Sequence, residues 1–231
     1  MKLLVGCPVV NRSWILPLWY KHVLAAVANV DDCELELLFV APVDSDVDVL
    51  LSFETPTHVH LTEETIPPDG RLWNADRYVT MVKERNALLQ EVRSIAPDFF
   101  LSLDSDILLA PKAISSALEL IGGDIWAVGL STYMTPIGGG VPSMGIWIPG
   151  TERYYRYDAN HESPCDIIMA AKLMSPLAYG IDYEFHRNGE DLGWSRAVQS
   201  AGGKFMFDGR VKNKHVMEKW MLSCVDERVG F

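Results

Sequence analysis

The chain has no apolar run long enough to cross a membrane. Its longest apolar stretches, such as Leu35 to Val43, are interrupted by Glu or Pro and fall far short of the roughly 20 residues that a membrane helix needs. The first residues hold one positive charge and about four apolar side chains before Gly6, too few for a signal peptide. The sequence therefore predicts no membrane span, and we expect a cytoplasmic protein.

The sequence has few cysteines, and its acidic residues outnumber its basic ones. The four cysteines (Cys7, Cys33, Cys165 and Cys224) lie far apart with no C-x-x-C pair, which argues against a zinc site and a small disulfide scaffold. We expect them to be reduced thiols. The 20 Lys and Arg against 31 Asp and Glu give a net charge of −11 over 231 residues, whereas a protein that binds nucleic acid through its phosphates usually presents a basic face.

Apolar segments alternate with amphipathic ones along the first 135 residues. Helical periodicity predicts three helices, near Pro17 to Asp31, at Val79–Ala96 and at Lys112–Ile121. Short apolar runs predict strands at Lys2–Val5, Leu35–Val40, Val59–Leu61, Phe99–Leu103 and Ile125–Leu130. This alternation is typical of βαβ units and of a mostly parallel sheet.

Glycine and proline interrupt this pattern at Gly138–Gly145, and we place a subdivision there. Beyond it, the sequence predicts strands at Asp166–Ala170 and Lys204–Phe207 and a helix at Glu190–Ala201. Further features are the short segment Ile146–Ile148, the aromatic stretch Tyr154–Tyr157 and apolar residues spaced by four after His215 (Val216, Trp220 and Cys224). That spacing predicts a C-terminal helix, either a lid that orders over a bound nucleotide or a permanently docked helix.

Two carboxylates follow the predicted strand Phe99–Leu103, in the segment Asp104-Ser105-Asp106. Ligands of open parallel sheets bind outside the carboxyl ends of the strands. Oxygen ligands of this kind suit Mg²⁺ or Mn²⁺, which commonly bridge substrate phosphates. The position therefore predicts a divalent ion and a diphosphate, although Asp-x-Asp alone is also a common turn or helix-cap pair.

Further polar groups fall where the same site could use them. Basic and amide groups that can hold a base or phosphates follow the first strand, at Pro8, Asn11 and Arg12, and lie on the preceding helix, at Arg85 and Asn86. Gly189-Glu190-Asp191 opens a predicted helix, where acidic residues also complement the helix dipole. His215 lies in a basic run after the last predicted strand, where a surface role is an equal alternative.

Together these residues, in this order, resemble a metal-dependent glycosyltransferase of the GT-A fold, and the resemblance covers nearly the whole chain. It implies an α/β fold with a Rossmann-like nucleotide-binding half (about 1–135) and a mostly parallel sheet. This half is merged with a smaller acceptor-side and catalytic half (about 136–231) in one domain. The expected donor is a nucleotide-diphosphate sugar.

The resemblance also implies roles for the residues. Asp106 is expected to bind the metal with His215, and Asp104 to contact the metal or the nucleotide together with Ser105. Asp191 is expected to act as the catalytic base beside Glu190, a role that belongs to family members that invert the sugar configuration. The resemblance alone therefore does not determine the stereochemical outcome.

Several alternatives stay open at this point. A metal-dependent nucleotidyltransferase usually carries a glycine-rich basic loop after its first strand, whereas Cys7 to Arg12 contains no glycine. A non-catalytic module that binds nucleotides or divalent ions would need Asp104 and Asp106 but not Asp191. The acceptor is equally open. It can be a saccharide, a lipid-linked sugar, a protein, a small molecule or a hydroxylated base, as in bacteriophage DNA modification. A short basic stripe (Arg210, Lys212, Lys214 and Lys219) would suit DNA, and it is also explained as a solvated strand end.

Overall fold

The computed structural model describes residues 1–42, 46–63, 75–133, 143–156 and 160–225. Twelve strands and six helices occur among them. The strands are β1 (Lys2–Pro8), β2 (Glu34–Pro42), β3 (Thr57–Thr62), β4 (Phe99–Leu103), β5 (Ile107–Leu108), β6 (Ile125–Tyr133), β7 (Met144–Trp147), β8 (Tyr154–Tyr155), β9 (Glu162–Cys165), β10 (Ile167–Ile168), β11 (Ala171–Met174) and β12 (Lys204–His215). The helices are α1 (Leu16–Val27), α2 (Val47–Leu51), α3 (Ala75–Ile95), α4 (Ala113–Leu118), α5 (Pro176–Tyr179) and α6 (Glu190–Ser200), and a 3₁₀ helix follows at Lys219–Cys224.

A nine-stranded sheet forms the centre of the molecule, in the order β3-β2-β1-β4-β11-β6-β12-β5, with β9 also paired to β12. Strands β1 to β4 run parallel, and β11 is antiparallel to both β4 and β6, so β6 and its parallel partner β12 share the direction of β1. The described part of the sheet is therefore mostly parallel, as predicted. A separate small sheet has the order β10-β7-β8.

Helices cover both faces of the large sheet. One buried apolar cluster includes Trp19 of α1 and Ile114 of α4, and the other includes Leu88 of α3 and Trp194 of α6. Because both faces are buried, central strands such as β1 and β4 are nearly continuous apolar runs, as expected for parallel sheets. Proline defines two helix boundaries, since α1 has it in its first turn and α3 ends before Pro97.

Most of the predicted elements are confirmed, but two strands differ. The single strand predicted at Asp166–Ala170 is wrong, because Ala170 has a φ of 55° and separates β10 of the small sheet from β11 of the large one. The last strand does not end at Phe207. Its pairing with β6 shifts register between Asp208 and Lys212, and the strand continues to His215.

Smaller differences concern the helices and the glycine-rich segment. Helix α4 is shorter than predicted, and a 3₁₀ helix replaces the predicted C-terminal α-helix, with Trp220 exposed on it. Of the segment Gly138–Gly145, residues 138–142 lie outside the described residues, while Gly145 belongs to β7. Cys7, Cys33 and Cys165 are free thiols. No described helix is long and apolar enough to cross a membrane.

Candidate active site

The carboxyl ends of β4 and β12 come together near Asp106. Strand β5, directly after Asp106, pairs antiparallel with the end of β12, so that His215 faces Ile107. The backbone N–H of Val216 donates to the Asp106 carbonyl at 2.7 Å. As a result, His215 Nε2 lies 3.0 Å from Asp106 Oδ1. Residues 109 positions apart in the sequence are thus adjacent in the structure, as the two metal-ligand assignments require.

The second oxygen of Asp106 contacts a cation from the loop after β1. Arg12 Nη2 donates to Asp106 Oδ2 at 2.9 Å, and Arg12 Nη1 donates to the Met217 carbonyl at 3.4 Å. The backbone of the same loop is anchored by Asp46, whose carboxylate accepts from the N–H groups of Arg12 and Ser13. The loop therefore holds the Arg12 guanidinium against the buried carboxylate.

Charge pairing sets the ionisation of this cluster. Burial works to raise the Asp106 pKa, but His215 and Arg12 outweigh it and hold the pKa below its ordinary value. Burial works to lower the His215 pKa, but the Asp106 carboxylate outweighs it and raises the pKa. In this arrangement Asp106 is an anion held between the His215 ring and the Arg12 guanidinium.

The geometry of Asp106 and His215 fits a divalent ion. The 3.0 Å between Oδ1 and Nε2 is the length of the hydrogen bond that pairs these two groups. Two ligands at right angles around Mg²⁺ or Mn²⁺, each about 2.1 Å from the ion, also lie about 3 Å apart, so an ion would take the place of the proton between them. No group of three or more His, Cys, Asp or Glu side chains that could hold a metal occurs among the described residues. This donor set suits an ion that takes its other ligands from substrate phosphates and water.

Asp104, two residues earlier, is paired with Arg85 of α3. Arg85 is almost fully buried, and its Nη2 donates to Asp104 Oδ1 at 2.6 Å while its Nη1 donates to Ser102 Oγ at 3.2 Å. The Asp104 side chain remains 31% exposed. On the other side, Arg85 Nε lies 4.0 Å from Glu190 Oε1. One guanidinium therefore connects the end of β4 with the start of α6.

Glu190, which is buried, and Asp191, which is partly buried, form an acidic pair in the first turn of α6. Burial and the Asp191 charge raise the pKa of Glu190 to about 7, against the opposing effect of Arg85. Burial also works to raise the Asp191 pKa, but Lys172 and Arg85 outweigh it and lower the pKa. At neutral pH the pair therefore holds an ionised Asp191 beside a Glu190 that titrates.

Lys172 is a site residue that sequence reasoning did not identify. It lies on β11, is fully buried, and its Nζ donates to Asp191 Oδ1. The ammonium is 5.4 Å from the ring centroids of both Tyr183 and Trp194, within the range of cation–π attraction. The available signal was a single lysine inside the apolar run Ala171–Met174, since Lys is almost never buried without a partner.

The remaining predicted residues have more varied positions. Pro8 ends β1 and Asn11 follows it with a φ of 55°, while Ser105 is buried between the two aspartates. The Asn86 side chain donates to the Tyr183 carbonyl at 3.0 Å and accepts from its N–H at 2.7 Å. These bonds fix the segment before α6. A contact of Asn86 with a nucleotide stays a prediction.

One member of the basic stripe considered for DNA, Arg210, is paired with acidic side chains of the protein. Arg210 donates to Asp208 from Nε at 3.0 Å and to Glu119 from Nη1 at 3.0 Å. The sequence predicts a last strand that ends at Phe207, with Lys212 and Lys214 beyond it. In the structure both lysines lie on β12. Arg210 is therefore committed to contacts within the protein.

Solved structures share this architecture. The fragment 1–349 of S. aureus TarS in complex with UDP matches with a TM-score of 0.59 and 11% identity over 95% of this chain and 62% of that chain. A mannosyltransferase, PcManGT from Pyrobaculum calidifontis in complex with GDP-Man and Mn²⁺, matches with a TM-score of 0.56 and 11% identity over 94% of this chain and 57% of that chain. A197 from STIV matches with a TM-score of 0.56 and 10% identity over 95% of this chain and 87% of that chain.

This chain has the GT-A fold. The expectation of a Rossmann-like α/β architecture with a large, mostly parallel sheet is confirmed. No protein-family model matches the chain, and no curated protein matches its sequence. The chain spans 57% of the mannosyltransferase and 62% of the TarS fragment.

Proposed function

We propose that this protein transfers a sugar from a nucleotide-diphosphate sugar to an acceptor hydroxyl group, with Mn²⁺ or Mg²⁺ as the cofactor. The observation that carries the proposal is the position of Arg85, 2.6 Å from Asp104 and 4.0 Å from Glu190. In this proposal, the residues assigned to the metal and nucleotide therefore belong to one site with the acidic pair of Glu190 and Asp191. Two proteins of the same fold are described with UDP, or with GDP-Man and Mn²⁺, which supports a nucleotide-sugar donor.

The half that spans about residues 1–135 binds the donor in this proposal. Asp106 and Asp104 of this half, together with His215 of the other half, would hold the divalent ion, which would supply positive charge to stabilise the leaving diphosphate. Arg12 and Arg85 add fixed positive charge at the same place, in a chain whose net charge of −11 would otherwise repel a diphosphate. The base, ribose and phosphates are bound in this proposal by residues that end or follow β1, residues that follow β4 and two residues of α3: Pro8, Asn11, Arg12, Asp104, Ser105, Arg85 and Asn86.

The half after about residue 135 supplies the acid–base chemistry. Asp191 accepts the proton of the acceptor hydroxyl as its oxygen attacks the sugar carbon. The buried Lys172 keeps Asp191 ionised, since a carboxylate without a partner would be neutralised by burial. Glu190 is protonated in part at neutral pH, so the two adjacent carboxyls need not both carry charge.

The test is metal-dependent turnover of nucleotide sugars. A panel of UDP- and GDP-sugars is incubated with the protein, with Mn²⁺ or with a chelator, and the products are followed by mass spectrometry. We expect at least one donor to be converted to its nucleoside diphosphate only when the metal is present. Binding without turnover would favour a non-catalytic binding module, and release of pyrophosphate from a nucleoside triphosphate and a sugar phosphate would favour a nucleotidyltransferase.

A further inference from the structure

A cavity of about 640 Å³ lies beside the start of α6. Its volume is within the range of about 300–1,000 Å³ that small-molecule sites occupy. Unlike the apolar lining usual for such sites, its walls are mainly basic, amide and phenolic. They include Tyr78, Arg153, Tyr154, Arg156, Arg187 and Asn188.

The cavity adjoins the acidic pair of the proposed active site. Arg187 and Asn188 directly precede Gly189-Glu190-Asp191 in the chain. A Cβ atom built on Gly189 would lie 3.8 Å from Tyr78 Cε1, so the Tyr78 ring of the cavity wall lies close to the residue that precedes α6. Burial and the nearby Glu190 charge both raise the pKa of Tyr78. A molecule in the cavity therefore lies beside the segment that leads into the acidic pair.

The electrostatics of the cavity oppose those of the whole chain. Three arginines line it, although the chain carries a net charge of −11. Glu152 offsets part of this charge, since its carboxylate lies 3.1 Å from Arg187 and 3.7 Å from Arg196. Burial lowers the pKa of the neighbouring His186, and Arg196 and Arg187 lower it further against the opposing Glu152.

Arginine and tyrosine together suit one class of ligand. The guanidinium of Arg156 lies 5.8 Å from the centroid of the Tyr154 ring, and a planar guanidinium binds phosphate through two parallel hydrogen bonds. Tyrosine rings offer apolar faces and hydroxyl groups to a polyhydroxylated body. This combination favours an anionic group attached to a sugar or polyol.

We propose that this cavity binds the acceptor, and that the acceptor is a phosphate-bearing saccharide or polyol. The inference rests on the proposed function and adds the acceptor class to it. In the transfer, the acceptor oxygen forms the new bond to the sugar carbon and its proton goes to Asp191. The bond from that carbon to the diphosphate oxygen breaks, and its electron pair leaves with the nucleoside diphosphate. The acceptor phosphate stays unchanged against the arginines.

Matched pairs of probes test the acceptor class by calorimetry. Glucose 6-phosphate is compared with glucose, and glycerol 3-phosphate with glycerol, while Mn²⁺ and saturating UDP or GDP occupy the donor site. We expect the phosphorylated member of at least one pair to bind about tenfold or more tightly than its parent, as charge-assisted hydrogen bonds would give. Equal affinity within both pairs would overturn the proposal. So would binding of a short single-stranded oligonucleotide in preference to both phosphorylated probes.

Arg153→Gln locates the binding, and Arg93→Gln is the matched control. Arg93 also carries one partly exposed positive charge, but it lies 18 residues along α3 from Ala75 of the cavity wall, or about 27 Å at the rise of a helix. We expect Arg153→Gln to weaken the phosphorylated probe about tenfold and Arg93→Gln to leave it unchanged. Equal effects of the two would contradict the cavity assignment. Failure of UDP or GDP to bind with Mn²⁺ would instead remove the proposed function itself.

Discussion

Asp106 is the residue on which the metal assignment depends. It is buried, ionised and 3.0 Å from His215. We expect Asp106→Asn to abolish metal-dependent binding of UDP or GDP, because the ion loses its charged oxygen ligand. Calorimetry with and without Mn²⁺ measures this loss. The matched control is Asp124→Asn, which removes an exposed carboxylate paired with Lys204, and nucleotide affinity unchanged in a folded Asp106→Asn protein would contradict the assignment.

Glu190 should make stability depend on pH. Its pKa is about 7 in the folded protein and near 4.3 in an unfolded chain, so the folded state binds the proton more tightly. The stabilisation from protonated Glu190 is complete below the unfolded pKa and is lost as the pH rises through about 7, at about 1.4 kcal/mol for each unit of pKa difference.

The variant Glu190→Gln removes this contribution, because Gln does not titrate. We expect its free energy of unfolding to fall less than that of the wild type between pH 5 and pH 8, as measured by denaturant titration. Glu34→Gln, at an exposed position, serves as the control and should follow the wild type. Parallel curves for Glu190→Gln and the wild type would show that Glu190 is not a buried acid with a raised pKa.

At the scale of elements, the close approach of α6 to the preceding segment sets the position of the acidic pair. A Cβ atom on Gly193 would lie 1.9 Å from the Glu184 carbonyl oxygen, which is backbone and cannot rotate away. We expect Gly193→Ala to displace the first turn of α6 and to lower the transfer rate at least roughly 10²-fold, the scale of misplaced catalytic groups. Ser200→Ala, at the exposed end of the same helix, should leave transfer unchanged.

Gly193→Ala also separates the effect of displacing the acidic pair from an effect on nucleotide binding. Because the substitution lies on α6, the affinity for UDP or GDP with Mn²⁺ should change much less than the transfer rate. An equal loss of both would mean that the whole fold is disturbed. Normal transfer would mean that the helix can move without consequence for the chemistry.

The elements also show which features the sequence could predict. Strands β1 and β4 and helix α3 were predictable because their apolar patterns are long and their ends are marked by Asp104 and Pro97. The break at Ala170 and the register shift in β12 were not, since they depend on pairing with strands distant in the sequence. His215 was therefore selected as a site residue while its strand was assigned incorrectly.

At the scale of the whole molecule, long-range pairing brings the two parts of the candidate site together. The antiparallel strand β11 separates β4 from β6 and carries Lys172 to the acidic pair. The order of the motifs along the chain was enough to predict that Asp104, Asp106 and Asp191 lie at one edge of the sheet. The pairing of Asp191 with Lys172 could not be predicted, because it depends on the position of β11 between β4 and β6. The cavity arginines were likewise missed, because residues 153, 156 and 187 converge only in the folded chain.

Ligand binding should stabilise the whole molecule cooperatively. The cluster of Asp106, His215 and Arg12 joins the ends of β4, β12 and the loop after β1. We expect Mn²⁺ and UDP or GDP together to raise the melting temperature more than the sum of their separate effects, because each completes the site of the other. Differential scanning fluorimetry measures the shifts, and additive shifts would argue against a shared site.

The central claim is that Asp191 removes the acceptor proton, and its pairing with Lys172 complicates the simplest test. Asp191→Asn alone leaves a buried lysine without its partner, which can cost about 3–5 kcal/mol of stability. Loss of activity in that variant could then reflect unfolding. The double variant Lys172→Met with Asp191→Asn removes both charges and restores neutrality at the site.

The decisive measurement is therefore the transfer rate of Lys172→Met/Asp191→Asn, taken with its melting temperature and its affinity for UDP or GDP with Mn²⁺. The account predicts that the melting temperature recovers relative to Asp191→Asn and that nucleotide affinity stays near the wild-type value. Transfer should remain lower by roughly 10²–10⁴, the contribution of a positioned general base. If transfer recovers together with stability, Asp191 serves only to pair the lysine, and the account of catalysis is wrong.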